Sequence, residues 1–192
     1  MSSWGATTTD EAKPKYLTDV EKRDVYATTA GWTAAAGGNP DGAREVLVAI
    51  RNLSGGTANT AKLAAATVSS VNWNIDTFDK SAGGTLSITV NYNEAVDVVT
   101  TGGTPTMAVA GTGGRNHVLD YSTGTGTNRL TFIEPIAAAN AATNADDELT
   151  FGANPLAHAG GSTIVDSLGG GNSVITSAAG IGTSAGTITV VA

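Results

Sequence analysis

The clearest regularity in the chain is an alternation of apolar and polar positions that sets in near Thr67 and persists to the end. Val71, Trp73 and Ile75 alternate with Ser70, Asn72 and Asn74, and Leu86, Ile88, Val90 and Tyr92 alternate with Ser87, Thr89 and Asn91. Pro105, Met107 and Val109 share a face, as do Leu119 and Tyr121, Leu130 and Phe132, Leu149 and Phe151, and Ile188 and Val190. Ile164-Val165 is a shorter apolar pair. Successive side chains of a strand point to opposite faces, so a period of two marks a strand buried on one side. Turn formers separate the runs: Gly83-Gly84, Gly102-Gly103, Gly113-Gly114, Gly124 to Asn128 and Gly169 to Asn172. Many short strands at about ten-residue spacing predict two antiparallel sheets packed face to face. A closed barrel shares this alternation, and periodicity does not separate the two.

Upstream the pattern breaks down. Residues 1–40 show no sustained period, and charged residues crowd between Asp10 and Asp24, with Tyr16, Leu17 and Val20 among them. Thr18-Asp19-Val20-Glu21 has capping-box spacing, a hydroxyl followed three residues later by a carboxylate, and predicts two helical turns over Asp19–Tyr26. Gly31, Gly37, Gly38, Asn39 and Pro40 interrupt any longer element. Glu45–Ile50 is a continuous apolar run of strand length and predicts a strand buried on both faces. Ser54–Thr60 has linker composition. The predicted division is an extended, mostly irregular N-terminal arm with one short strand over residues 1–60, and an immunoglobulin-like sandwich over residues 61–192. The arm carries Trp4, Tyr16, Leu17, Tyr26 and Trp32, side chains that interfaces favour. They either bind a partner or fold back onto the chain's own sandwich.

Composition supports the all-β reading: glycine supplies 25 of 192 residues and charged residues only 14%, which suits turns and strands better than exposed helices. The net charge of −7 is concentrated beyond residue 53, where four Lys/Arg face ten Asp/Glu. Nucleic acid and anionic membranes are therefore unfavourable partners for that part. The chain has no cysteine, which excludes disulfides, thiolate metal sites and cysteine nucleophiles. Met1–Thr7 has no basic segment leading into an apolar one, so synthesis in the cytoplasm without a signal peptide is expected. No apolar run approaches the about 18 residues of a membrane span.

Residues for chemistry are sparse. His117 and His158 lie on different predicted segments, and strand geometry sends Asp120 to the face opposite His117, which argues against a triad with Ser122. Asp146-Asp147-Glu148 is the densest carboxylate run and the calcium candidate, with Asp97 and Asp166 as spatial additions; its spacing does not fit an EF-hand loop, and a solvated loop is the expected state. Gly169-Gly170-Gly171 lacks a following Lys-Ser/Thr and reads as a turn. Trp73 is expected in the sandwich core. A non-enzymatic protein without cofactors is expected.

The residues also carry a resemblance. Gly84-Thr85-Leu86-Ser87-Ile88-Thr89-Val90-Asn91-Tyr92-Asn93-Glu94-Ala95-Val96 resembles the strand-and-turn signature of bacterial and phage Ig-like repeats. Gly103–Val109, the hairpin Leu119–Phe132 and Ile164–Asn172 follow in the order those repeats show. Ile133-Glu134-Pro135 departs from them: proline cannot donate to the ladder, so the strand is expected to end or lie at an edge there. Trp4-Gly5 with Lys13-Pro14-Lys15-Tyr16-Leu17-Thr18 is similar to the start of virion structural proteins of marine tailed phages, including those infecting cyanobacteria. Together the resemblances imply a virion protein at the capsid surface, of decoration or cement type. Its partners would be the major capsid protein and neighbouring copies of itself. A neck or tail component and a host-surface glycan-binding module are the alternatives.

Overall fold

The computed structural model describes residues 13–35, 44–50, 53–54, 63, 66–167 and 181–192. Strand is the dominant element, in two sheets with separate hydrophobic cores. The larger sheet system begins with β4 (Val68–Trp73), β5 (Thr77–Asp79) and the long β6 (Gly84–Val99). β7 (Pro105–Gly111), β8 (His117–Thr123) and β9 (Thr127–Ile136) follow, then β10 (Glu148–His158), β11 (Thr163–Asp166) and β12 (Ile188–Val191). Hydrogen bonding links β11, β6, β9, β8, β7, β10, β12 and β5 in that order, with β4 also on β6. The runs β4-β6-β9-β8 and β7-β10-β12 follow the strand order of the two immunoglobulin sheets, and the β8–β7 pairing joins them into one nine-stranded hydrogen-bonded system. The path among the described residues runs open from β4 and β11 to β5, so the alternation reflects a sandwich rather than a closed barrel.

The period of two does what the sequence leads one to expect. Leu86, Ile88, Val90 and Tyr92 of β6 are fully buried, together with Met107, Leu119, Leu130, Phe132 and Leu149 from the strands that surround them. Tyr121 meets Phe132 edge-on at 5.9 Å, and Trp73 tilts against Phe151 at 4.7 Å, so Trp73 packs on the core as expected. The β8–β9 hairpin turns through Gly124 (φ 116°), where a Cβ would lie 2.0 Å from the Arg129 carbonyl oxygen; only glycine fits. β9 runs on through Pro135, opposite Thr85, and stops at Ile136. Its pairing with β8 goes no further than Ile133. There the Glu134 carboxylate accepts the Val118 N–H at 3.2 Å, a side chain replacing a ladder bond next to the proline.

The segment before the sandwich departs from the irregular arm. A single helical turn, α1 (Glu21–Asp24), replaces the predicted two-turn helix, and Tyr26 already belongs to a strand. The capping box is nonetheless formed: the Thr18 N–H donates to Glu21 Oε2 at 2.7 Å and the Glu21 N–H to Thr18 Oγ1 at 3.3 Å. β1 (Tyr26–Thr28), β2 (Gly31–Ala35) and β3 (Arg44–Ala49) then make an antiparallel meander. β3 corrects the expectation of a strand buried on both faces, since Arg44, Glu45, Val46 and Ala49 are exposed. It flanks a three-stranded sheet that packs one face only, so apolar composition there does not mean double burial. Gly31 (φ 129°) lies against β3 so closely that a Cβ would meet Val48 O at 2.0 Å.

This N-terminal unit has its own core of Val25, Ala27, Trp32, Ile50 and Leu53, with Leu17, Leu47, Val48 and Leu63 packed around it. Leu63 packs against this core, and Ala66 belongs to the sandwich core.

Candidate functional site

The candidate site is the N-terminal unit and its junction with the sandwich. Of the five aromatic and aliphatic candidates in this part, Trp4 lies outside the described residues. Trp32 is only 2% exposed and anchors the unit's own core, with Lys13 Nζ 5.9 Å from its ring centre. It folds into its own unit, not onto the sandwich. Leu17 packs at the edge of that core. Tyr26 is half-buried beneath the Arg44 guanidinium at 5.3 Å. Tyr16 is 69% exposed, with its hydroxyl 3.5 Å from the Leu47 carbonyl, which places it beside β3. Val20 and Val46 are also exposed on this unit.

Among the described residues, three side-chain polar contacts join the unit to the sandwich. Lys13 Nζ donates to the Lys22 carbonyl at 2.7 Å and to Ser69 Oγ at 3.1 Å; burial pulls its pKa down to about 8 against the opposing pull of Asp24. Arg129 reaches Asp24 at 3.4 Å on the surface, a contact of small energetic weight. Ser54 Oγ donates to Glu94 Oε2 at 3.1 Å inside the junction. Glu94 is 1% exposed, its Oε1 has no hydrogen-bond partner, and Asp166 is a second buried carboxylate nearby. Burial first, and the Asp166 charge second, raise the Glu94 carboxyl to about 7 despite the Ser54 bond.

Glu94 was legible in principle. The inward series Leu86, Ile88, Val90, Tyr92 continues at the same spacing to Glu94 and Val96, both buried. A carboxylate on an inward position is the signal.

The calcium candidates do not assemble. Asp147 is buried, and its two carboxylate oxygens are taken by Arg115, through Nε at 2.6 Å and through Nη2, and by the Asn144 N–H at 2.7 Å. These contacts hold its pKa down to about 2. Asp146 and Glu148 are exposed on either side of it. Among the described residues no group of three or more His, Cys, Asp or Glu is placed to hold a metal ion. The acidic run is thus an ion-paired loop anchor. Nothing in its local sequence points to Arg115, 32 positions away.

His117 is 2% exposed, and Asp120 lies on the outer face, as the strand period requires. Glu134 Oε2 lies 3.2 Å from His117 Nδ1 without hydrogen-bond alignment. His158 is at the far end of β10, paired with Pro105 rather than with His117. Gly169–Gly171 lie outside the described residues. A cleft of about 270 Å³ is lined by Asn72, Trp73, Asp76 and Thr187, and the Trp73 indole N–H there donates to the Gly186 carbonyl at 3.4 Å. No helix of the described residues is long and apolar enough to cross a membrane.

No protein-family model, curated protein or solved structure matches the chain. The class rests on the fold, an all-β protein with an immunoglobulin-like sandwich and a small N-terminal β unit.

Proposed function

We propose that this chain is a non-enzymatic virion structural protein that binds and stabilises or decorates a phage capsid, using its N-terminal unit as the docking element. The observation that carries the reading is the exposed group Tyr16, Val20 and Val46 on a small unit that folds around its own Trp32. Large apolar side chains left in water on a minor unit suit docking to another protein. The phage-like Ig repeat signature and the virion-like N-terminus support a capsid partner. Many copies on a symmetric lattice would offset modest affinity per copy.

Deleting residues 1–40 would be a poor test, because it removes β1 and β2 and leaves β3 and the rest of the small core without partners. The better variant is Tyr16→Ser with Val20→Ser and Val46→Thr, all exposed positions. It is expected to stay a folded monomer and to lose occupancy on capsids at least tenfold. Full occupancy on particles would refute docking through this face.

A glycan-binding module is the second reading, favoured by the cleft where Trp73 meets Asn72, Asp76 and Thr187. Saturable binding of a polysaccharide that Trp73→Phe abolishes would support it, and a blank glycan array would remove it.

A further inference from the structure

Residues 181–192 dock on the sandwich as one piece. Ile181 and Ala185 pack against the core, while Ile188 and Val190 enter it. A 3₁₀ turn over Thr183–Ala185 closes on itself, with the Ala185 N–H on the Gly182 carbonyl at 3.2 Å. Ahead of it Gly182 lies so close to β10 that a Cβ would stand 2.0 Å from the Gly152 carbonyl oxygen. Behind it the Gly186 carbonyl accepts the Trp73 indole N–H. β12 then fills the slot between β10 and β5. There the Val190 N–H bonds the Asp147 carbonyl and the Asp146 N–H bonds the Val190 carbonyl, each at 2.8 Å. All these partners belong to other elements, so the segment adds nothing to its own seat.

We propose that residues 181–192 are an exchangeable segment, whose seat accepts the same segment of a second copy of this chain. The bonds made on a second copy are the ones made at home, so exchange costs no contact. The tether is residues 168–180, thirteen positions with four glycines, which cross at most about 45 Å. Such a tether holds the segment at its own seat with an effective concentration on the order of millimolar. A second copy at that concentration competes on equal terms, whereas a micromolar solution keeps each segment at home. An empty seat is costly. Among the described residues β12 is the only ladder partner of β5, and Phe78, Ile188 and Val190 would be uncovered together. Two copies with open seats bury that surface again by filling each other's, a two-fold exchange that makes the same contact twice.

The seat is matched to this segment at three points, which is why the occupant is a second copy and not an unrelated strand. No Cβ fits at Gly182, the Gly186 carbonyl meets Trp73, and Ile188 and Val190 alternate with the exposed Thr189 and Val191. The absence of cysteine makes exchange readable, because any disulfide must come from introduced thiols. The Val190 bond to Asp147 makes Glu148 and Thr189 a non-hydrogen-bonded pair. The Cα atoms of such a pair lie about 4.5 Å apart, within disulfide reach. Both side chains are exposed.

The test uses the full chain as two single variants, Glu148→Cys and Thr189→Cys, unfolded together in reductant and refolded as an equimolar mixture at about 1 mM. After dilution to about 10 μM and oxidation, a disulfide-linked heterodimer, identified by mass, is expected. Its yield should be at least about tenfold above that of the same mixture refolded at about 10 μM. It should exceed by the same factor a mixture of Asp120→Cys with Thr189→Cys, since Asp120 is exposed on β8 and separated from β12 by β7 and β10. Equal yields in the three mixtures would overturn exchange. The double variant Glu148→Cys with Thr189→Cys should form its disulfide within one chain at about 10 μM, and failure to do so would overturn the seat itself. Thr77→Cys, exposed and beside Thr189 on the β5 side, replaces Glu148→Cys if that chain does not refold. Because no capsid is present, failure here leaves the docking face untouched.

Discussion

Replacing Trp32 by alanine tests whether the N-terminal unit stands on its own core. The indole is almost completely enclosed. An aromatic side chain buries about 150–250 Å², worth about 4–6 kcal/mol at about 25 cal/mol per Å². Large-to-small replacements of this kind cost about 3–5 kcal/mol. The rest of that core is Val25, Ile50 and Leu53 with the small Ala27, and three aliphatic side chains contribute about 5–9 kcal/mol together. Among these enclosed side chains Trp32 thus supplies roughly a third to a half of the apolar stabilisation, with the partly buried Leu17, Leu47, Val48 and Leu63 adding to the total. Hydrogen exchange read strand by strand is the assay. Amides of β1, β2 and β3 should lose protection by about 10²–10³-fold, while β6 and β9, held by the much larger core, stay within about tenfold of wild type. The reasoning fails if β6 and β9 lose as much protection as β1–β3, because the two cores would then be one cooperative unit. It also fails if β1–β3 change by less than tenfold.

Two further outcomes follow from the geometry. Asp147→Asn removes the negative charge and one of the two acceptor oxygens of the Arg115 pair; since the carboxyl is held down to about 2 against 3.8 when free, its stabilisation is present above 3.8 and lost as pH falls through 2. The variant should melt below wild type at pH 7, with the gap closing by pH 2 in a series of thermal scans. Gly31→Ala forces a Cβ onto the Val48 carbonyl in a backbone region that costs about 1–3 kcal/mol for other residues, and should unfold β1–β3 while circular dichroism of the sandwich strands persists.

The sandwich was legible because its strands are long enough for the period to show: β6 offers Leu86, Ile88, Val90 and Tyr92 in one uninterrupted series. The N-terminal sheet was not. β1 has three residues and β2 has five, too short for any period, and their inward positions include Ala27 and Thr33, which carry no hydrophobic signal. β3 misled in the opposite direction, since Val46-Leu47-Val48 reads as a buried run yet occupies the one-sided flank of a small sheet. At the site, the sequence reading passed over Glu94, although extending the strand period by one step would have marked it, whereas Arg115–Asp147 and Ser54–Glu94 are long-range encounters that only the fold creates.

The pairing of β12 with β5 bears on how the molecule carries load. These two strands are parallel, Thr189 beside Thr77 and Val191 beside Asp79, and the Lys80 N–H adds a bond to the Val191 carbonyl. Tension applied between the N-terminal unit and Val191 pulls β5 from its start and β12 from its end, in opposite directions along a shared axis. The bonds between them are then strained simultaneously in shear, not opened one after another like a zipper. Such a seam loads its three register pairs together, so they must give way at once.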